Sequence, residues 1–169
     1  AGVEASLDYD LMWAAPGTTR VPFRLAYTYT RASFLSGFVS DYEAWGTVEA
    51  GDRLPYLPEH QVSGSIGYDR SAWSISISMN ASGAMRTQAG LGPIPEGQGT
   101  DSFVVFNASG EVQVNERGTL FAGLQNFTNQ IHSVARRPAG LRPGLPRTLV
   151  VGFRVEGVRE RARWRGSHD

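Results

Sequence analysis

Ala72-Trp73-Ser74-Ile75-Ser76-Ile77-Ser78-Met79-Asn80-Ala81-Ser82 is the stretch that decides the fold class. Trp73, Ile75, Ile77 and Met79 alternate strictly with Ser74, Ser76, Ser78 and Asn80. A period of two puts each set on its own face of an extended strand, whereas a helix would scatter both sets around its circumference. The same alternation recurs on either side. Val104, Phe106, Ala108, Gly110, Val112 and Val114 oppose Asn107, Ser109, Glu111 and Gln113, and Leu120, Ala122 and Leu124 oppose Gly123 and Gln125. Leu149, Val151, Phe153 and Val155 oppose Gly152, Arg154 and Glu156. Upstream, Val3, Ala5, Leu7, Tyr9 and Leu11 oppose Glu4, Ser6, Asp8 and Asp10, and Phe23, Leu25, Tyr27 and Tyr29 oppose Arg24, Thr28 and Thr30. Gln61 to Tyr68 carries a weaker version, with Val62, Ile66 and Tyr68 opposite Ser63, Ser65 and Gly67. The expectation is an all-β chain of about seven strands without a helix.

The connections alternate as regularly as the residues. Short ones fall near Ala15–Thr19, Asp69–Ser71 and Asn115–Gly118, and long ones at Leu35–Tyr56, Arg86–Thr100 and Asn129–Pro146. In an antiparallel up-and-down meander this puts every tight turn at one end and every long loop at the other. A transmembrane β-barrel has that layout, with its apolar face toward lipid and its polar face toward the lumen. Trp13, Phe23, Tyr68 and Trp73 lie beside the short turns, where an aromatic girdle at a membrane interface would sit. A soluble β-sandwich binding module, for carbohydrate as an example, is the rival with the same alternation. Seven is an odd count, and bacterial single-chain barrels are even. Either Tyr42–Ala50 hides an eighth strand of a small stand-alone barrel that anchors or adheres, or the chain is the last part of a larger one.

Composition narrows the function. The chain has 169 residues with 16 basic and 16 acidic side chains, all the basic ones arginine, so its balance offers no nucleic-acid partner. There is no cysteine, which excludes a disulfide framework, a thiolate zinc site and thiol catalysis. At 41% hydrophobic and 11% aromatic it is no disordered segment. No apolar run approaches the roughly 18 residues of a transmembrane helix. The chain opens at Ala1 with no signal-peptide pattern and Gly2 to Tyr9 already read as structure, so a removed leader or a longer parent chain is expected.

Three stretches carry a resemblance. Leu54-Pro55-Tyr56-Leu57-Pro58-Glu59-His60-Gln61 leads straight into a strand, and Gly123-Leu124-Gln125-Asn126-Phe127-Thr128-Asn129 ends the penultimate one. Arg136-Arg137-Pro138-Ala139-Gly140-Leu141-Arg142-Pro143-Gly144-Leu145-Pro146-Arg147-Thr148 then precedes the closing strand, and Tyr27-Thr28-Tyr29-Thr30 belongs to the same set. Together they resemble the C-terminal end of a TonB-dependent outer-membrane receptor of the ferric-dicitrate or siderophore type, over nearly everything from Gly2 to Glu156. The resemblance implies about seven strands of a larger, 22-stranded barrel. Residues 1–157 would be that barrel segment, in the outer membrane of a Gram-negative bacterium. Its partners would be outer-membrane lipid, the plug and remaining strands of the receptor, the TonB complex reached through the N-terminal part, and a ferric chelate ligand. The implied role is wall and outer loops of an active transporter for ferric siderophore or a similarly scarce nutrient. Residues 158–169 read as a polar, arginine-rich tail outside the barrel pattern, disordered at its simplest. The family closes on an aromatic residue, and Gly157 stands in that place here.

Within this frame the ligand-binding candidates lie on loops. Arg136 and Arg137 carry planar guanidinium forks suited to carboxylates or catecholates of an anionic iron chelate, although with Arg142 and Arg147 they also serve to shape the loop. Tyr42 and Trp45 offer rings for stacking. His60, His132 and His168 are too dispersed for a metal site. His60 is expected to hydrogen-bond at the barrel rim and His132 to lie at the surface of its loop. No Gly-x-Ser-x-Gly or base–nucleophile pairing is present, so neither an enzyme nor a cofactor is expected.

Overall fold

The alternating segments become seven long strands of one antiparallel sheet in a computed structural model, which describes residues 1–11, 19–137 and 139–156. The elements in chain order are β1 (Gly2–Asp10), β2 (Pro22–Thr30), β3 (Phe38–Val39), β4 (Thr47–Val48), β5 (His60–Arg70), β6 (Trp73–Ser82), β7 (Phe103–Gln113), β8 (Gly118–Gln125), β9 (Ser133–Ala135), β10 (Arg142–Pro143) and β11 (Thr148–Val155). The sheet order β1-β2-β5-β6-β7-β8-β11 is an uninterrupted meander. Trp13 and residues 157–169, with the tail, Gly157 and His168, lie outside the described residues.

Register fixes the two faces. Across the sheet Leu7 pairs with Leu25, Leu25 with Gly64, Gly64 with Met79, and Met79 with Phe106. Further along, Ile66 pairs with Ile77, Ile77 with Ala108, Ala108 with Leu124, and Leu124 with Leu149. The apolar positions of all seven strands therefore share one face. On the other face Asp8, Arg24, Ser65, Ser78 and Asn107 run in one row, and Ser76, Ser109 and Gly123 in another. A slip of one residue at any ladder would mix the rows, because the side-chain period is two. The polar face is bonded within itself: Asp8 pairs with Arg24 at 2.9 Å, and the Ser76 and Ser109 hydroxyls meet at 2.8 Å. Gly152 is required on this face, since a Cβ there would stand 2.1 Å from the Phe121 ring.

Most large apolar side chains of the outer face are exposed, among them Leu7, Ile75, Ile77 and Val151. A sheet folding in water would cover them. No second sheet does so among the described residues, where the remaining sheets are two-stranded hairpins inside loops. The sandwich layout is therefore replaced by a single curved wall whose edge strands β1 and β11 do not meet, so the barrel is open in this chain. Tyr42–Ala50 supplies no eighth wall strand: β4 pairs only with β3 within a loop.

The short-turn end carries Tyr9 paired with Phe23, and Tyr68 stacked on Trp73 with centroids 5.4 Å apart. At the long-loop end the Tyr27 hydroxyl meets His60 Nδ1 at 2.8 Å, Tyr29 tilts against the same ring, and Phe106 lies 5.9 Å from Phe127. These two aromatic bands bound the apolar face, as amphipathic rings do at the two interfaces of a bilayer. The hydrogen bond expected of His60 is thus present.

Candidate functional site

The three long loops, 31–59 (L1), 83–102 (L2) and 126–147 (L3), stand at one end of the wall and hold most of the buried side chains. They form one interlocked cap. Asn126 is its hub, 1% exposed: its Nδ2 donates to the carbonyls of Gln130 (3.0 Å) and Leu145 (2.9 Å), and its Oδ1 accepts from the Gln130 amide (2.9 Å). Asn126 and Asn129 have φ of 46° and 53°, the left-handed region that asparagine tolerates better than most residues. This is the physical content of the Asn-Phe-Thr-Asn motif.

L3 is pinned to L2 by Asp101, whose Oδ2 accepts from the Ser133 amide at 2.7 Å and hydroxyl at 2.8 Å. Those donors hold the Asp101 carboxyl below its ordinary pKa range, because they bond to the charged form. The expectation of a surface His132 is corrected. It is buried, stacked on Phe103 with centroids 4.3 Å apart, and the absence of a side chain at Gly144 lets it lie there, since a Cβ would come 2.2 Å from its Nε2. Loop position alone suggested exposure; the inward fold of the β9–β10 hairpin over the polar face decides otherwise. Asp101, His132 and Ser133 make no nucleophilic relay, because the Ser133 hydroxyl is spent on Asp101 and His132 Nδ1 lies 3.3 Å from the Gln130 carbonyl.

L3 is pinned to L1 through Tyr56, which takes a left-handed φ of 56° within the Leu-Pro-Tyr-Leu-Pro motif. Its hydroxyl accepts from the Arg137 amide at 2.9 Å and donates to the Arg137 carbonyl at 3.3 Å, while its own amide donates to the Arg86 carbonyl at 2.9 Å. One residue thereby joins all three loops.

Among the residues singled out in the sequence, Arg136 and Arg137 are half-buried and engaged within the cap: Arg136 Nε donates to the Gly99 carbonyl, and Arg137 pairs with Glu43. Tyr42 and Trp45 belong to an edge-to-face cluster with Phe34 and Phe38, Trp45 lying 5.5 to 5.8 Å from the other three rings. Both are exposed on one side. The structure therefore brings Arg137 to the Tyr42–Trp45 hairpin through Glu43. A basic cavity between L1 and L2 escaped sequence reading, because Arg31, Arg53 and Arg86 are far apart in the chain and carry no motif. Among the described residues no group of three or more acidic or histidine side chains is placed to hold a metal ion.

An antiparallel meander with an outward apolar face, tight turns at one end and an interlocked loop cap at the other has the layout of a transmembrane β-barrel wall. The TonB dependent receptor-like, beta-barrel family matches residues 1–127, and the chain belongs to that family. In fold it is similar to the siderophore receptor PiuA from Acinetobacter baumannii, with a TM-score of 0.67 at 13% identity, over 91% of this chain and 21% of that one. It is also similar to the ferric-catecholate import receptor Fiu from Escherichia coli K12, with a TM-score of 0.55 at 14% identity, over 91% of this chain and 27% of that one. The chain thus spans about a fifth of the first of these and just over a quarter of the second. No curated protein matches it in sequence.

Proposed function

We propose that this chain forms barrel wall and outer loops of an outer-membrane receptor that takes up a ferric siderophore or similar iron chelate in a Gram-negative bacterium, with energy delivered through TonB. The observation that supports it most is the combination of a lipid-suited wall with a cap whose loops are bonded to one another, in a fold similar to two iron-chelate receptors. Outer-membrane lipid, the rest of the barrel, a plug and the TonB complex are the partners this reading requires.

Ligand contact falls on the cap in two ways. The exposed faces of Tyr42 and Trp45 present rings to an aromatic or aliphatic part of the chelate. Arg136 and Arg137 retain guanidinium N–H groups beyond those bonded to Gly99 and Glu43, available to an anionic arm. Replacing both arginines by alanine is expected to weaken chelate binding in whole cells; unchanged affinity would leave them as loop fasteners only. The function itself is tested by radio-iron uptake under iron limitation in cells lacking the gene, with and without complementation. Uptake that needs neither the gene nor TonB for any chelate of a broad panel sinks the reading.

A further inference from the structure

Between L1 and L2, on the polar side of the wall, lies a cavity of about 230 Å³ lined by Arg31, Arg53, Arg86 and Glu59 with apolar flanks at Leu57 and Ile94. Its side of the wall follows from the ladder: His60 points outward with Tyr27 and Tyr29, so Glu59, whose carbonyl accepts from Thr30, points inward. Three guanidiniums therefore share a small space with one carboxylate.

Those charges are unevenly spent. Arg53 Nη1 pairs with Glu59 at 2.6 Å. Arg86 is only 7% exposed, yet its one side-chain hydrogen bond among the described residues runs from Nη2 to the Gly92 carbonyl at 2.8 Å, and no carboxylate is within ion-pair distance. Asp52, the other acidic group nearby, accepts from the Glu49 amide at 2.8 Å. Burial, and after it the neighbouring Arg53 charge, disfavour the Arg86 cation and outweigh the favourable charges of Asp52 and Glu59. A guanidinium stays protonated regardless, so this is a buried charge short of a counter-ion. Arg31 is exposed at the mouth and has no side-chain partner among the described residues.

We propose that this cavity is a binding site for one small oxyanion group, a carboxylate or a phosphate, held between Arg86 and Arg31 with Arg53 behind. The guanidiniums of Arg31 and Arg86, which line the same cavity, carry the N–H donors such a group needs, and the apolar flanks lower the local dielectric. The volume admits one anionic group and not a whole metal chelate. As the biological source of that group, an arm of the imported chelate rests on the uptake function proposed above; the site itself does not.

The test is phenylglyoxal labelling of Arg31 in the purified full-length receptor, read by peptide mass spectrometry, with the exposed turn residue Arg117 as reference in the same digest. Acetate and inorganic phosphate are the probes and neutral acetamide is the control. Slower labelling of Arg31 than of Arg117 with acetate alone supports a carboxylate site, and with phosphate alone a phosphoryl site. Arg86→Gln is expected to raise the protecting concentration about tenfold, the worth of one charge-assisted hydrogen bond. Because Arg86→Gln risks misfolding, Glu59→Gln gives the opposite check: with its competing carboxylate gone, the protecting concentration should fall. Equal slowing of both arginines, no slowing, or an Arg31 already shielded without anion would overturn the site. Radio-iron uptake measured alongside separates the two proposals. Intact uptake with an anion-insensitive Arg31 removes the site alone, and anion protection in a receptor that moves no iron removes the uptake function alone.

Discussion

The wall and the cap of this molecule solve opposite problems with the same chain. In the wall, Leu7, Ile77 and Val151 are 53%, 45% and 62% exposed, and what holds the strands is a backbone ladder from β1 to β11. In the cap, Asn126, Thr87 and Val48 are 1%, 1% and 2% exposed, and what holds the loops is side chain-to-backbone hydrogen bonding. A wall in lipid needs no buried core, since lipid already solvates its apolar face, while every backbone polar group must be paired within the sheet. Loops in water have the reverse need. Their backbone groups are satisfied locally or by asparagine, aspartate and threonine side chains, and the ordering cost is offset by burial. The difference teaches that exposure means stability in one half of this protein and would mean instability in the other.

The sharpest way to break the comparison is Ile77→Arg at the centre of β6. It should cost about 2–4 kcal/mol in a folding titration into lipid vesicles, as charge near a bilayer midplane does, while Ser76→Arg on the polar face should be far milder. Equal penalties would mean the faces are assigned wrongly. Next comes Asn126→Ala, which removes the hydrogen bonds to the Gln130 and Leu145 carbonyls and from the Gln130 amide; a loss of about 2–3 kcal/mol is expected. It should show as loop opening, measured by hydrogen exchange in L3, with the wall strands unaffected. Tyr56→Phe removes only the hydroxyl that bridges to Arg137, so about 1 kcal/mol is expected, read as faster protease nicking of L1 and L3. Slower or unchanged nicking would show that the hydroxyl is no fastener.

The smallest expected effect is one of pH. The Asp101 carboxyl is held below its ordinary range by Ser133, so its contribution is complete above the unfolded value of about 3.9 and is lost as pH falls through the lower folded value. Protection from hydrogen exchange in Ser133–Ala135, taken relative to the intrinsic rate at each pH, should therefore fall only in acid below that range, and Asp101→Asn should remove that fall. A fall that begins near neutral pH would assign the change to another group.

What the chain determined by itself is the wall. Strict alternation in Ala72–Ser82 and its counterparts set strand, face and register together, because a period of two leaves only one way to segregate Ile77 from Ser76. The order of short and long connections then set the meander, and the motifs around Tyr56, Asn126 and Arg136 pointed to the family whose match covers residues 1–127. Tertiary structure alone decided the cap. Nothing in sequence spacing announces that Asp101 meets Ser133 across 32 residues, that Tyr56 meets Arg137 across 81, or that Arg31, Arg53 and Arg86 share one cavity. The reason is physical. Lipid and lumen impose a repeating pattern on every wall residue, whereas the cap is held by individual directional hydrogen bonds, which are satisfied by position in space and leave no period in the chain.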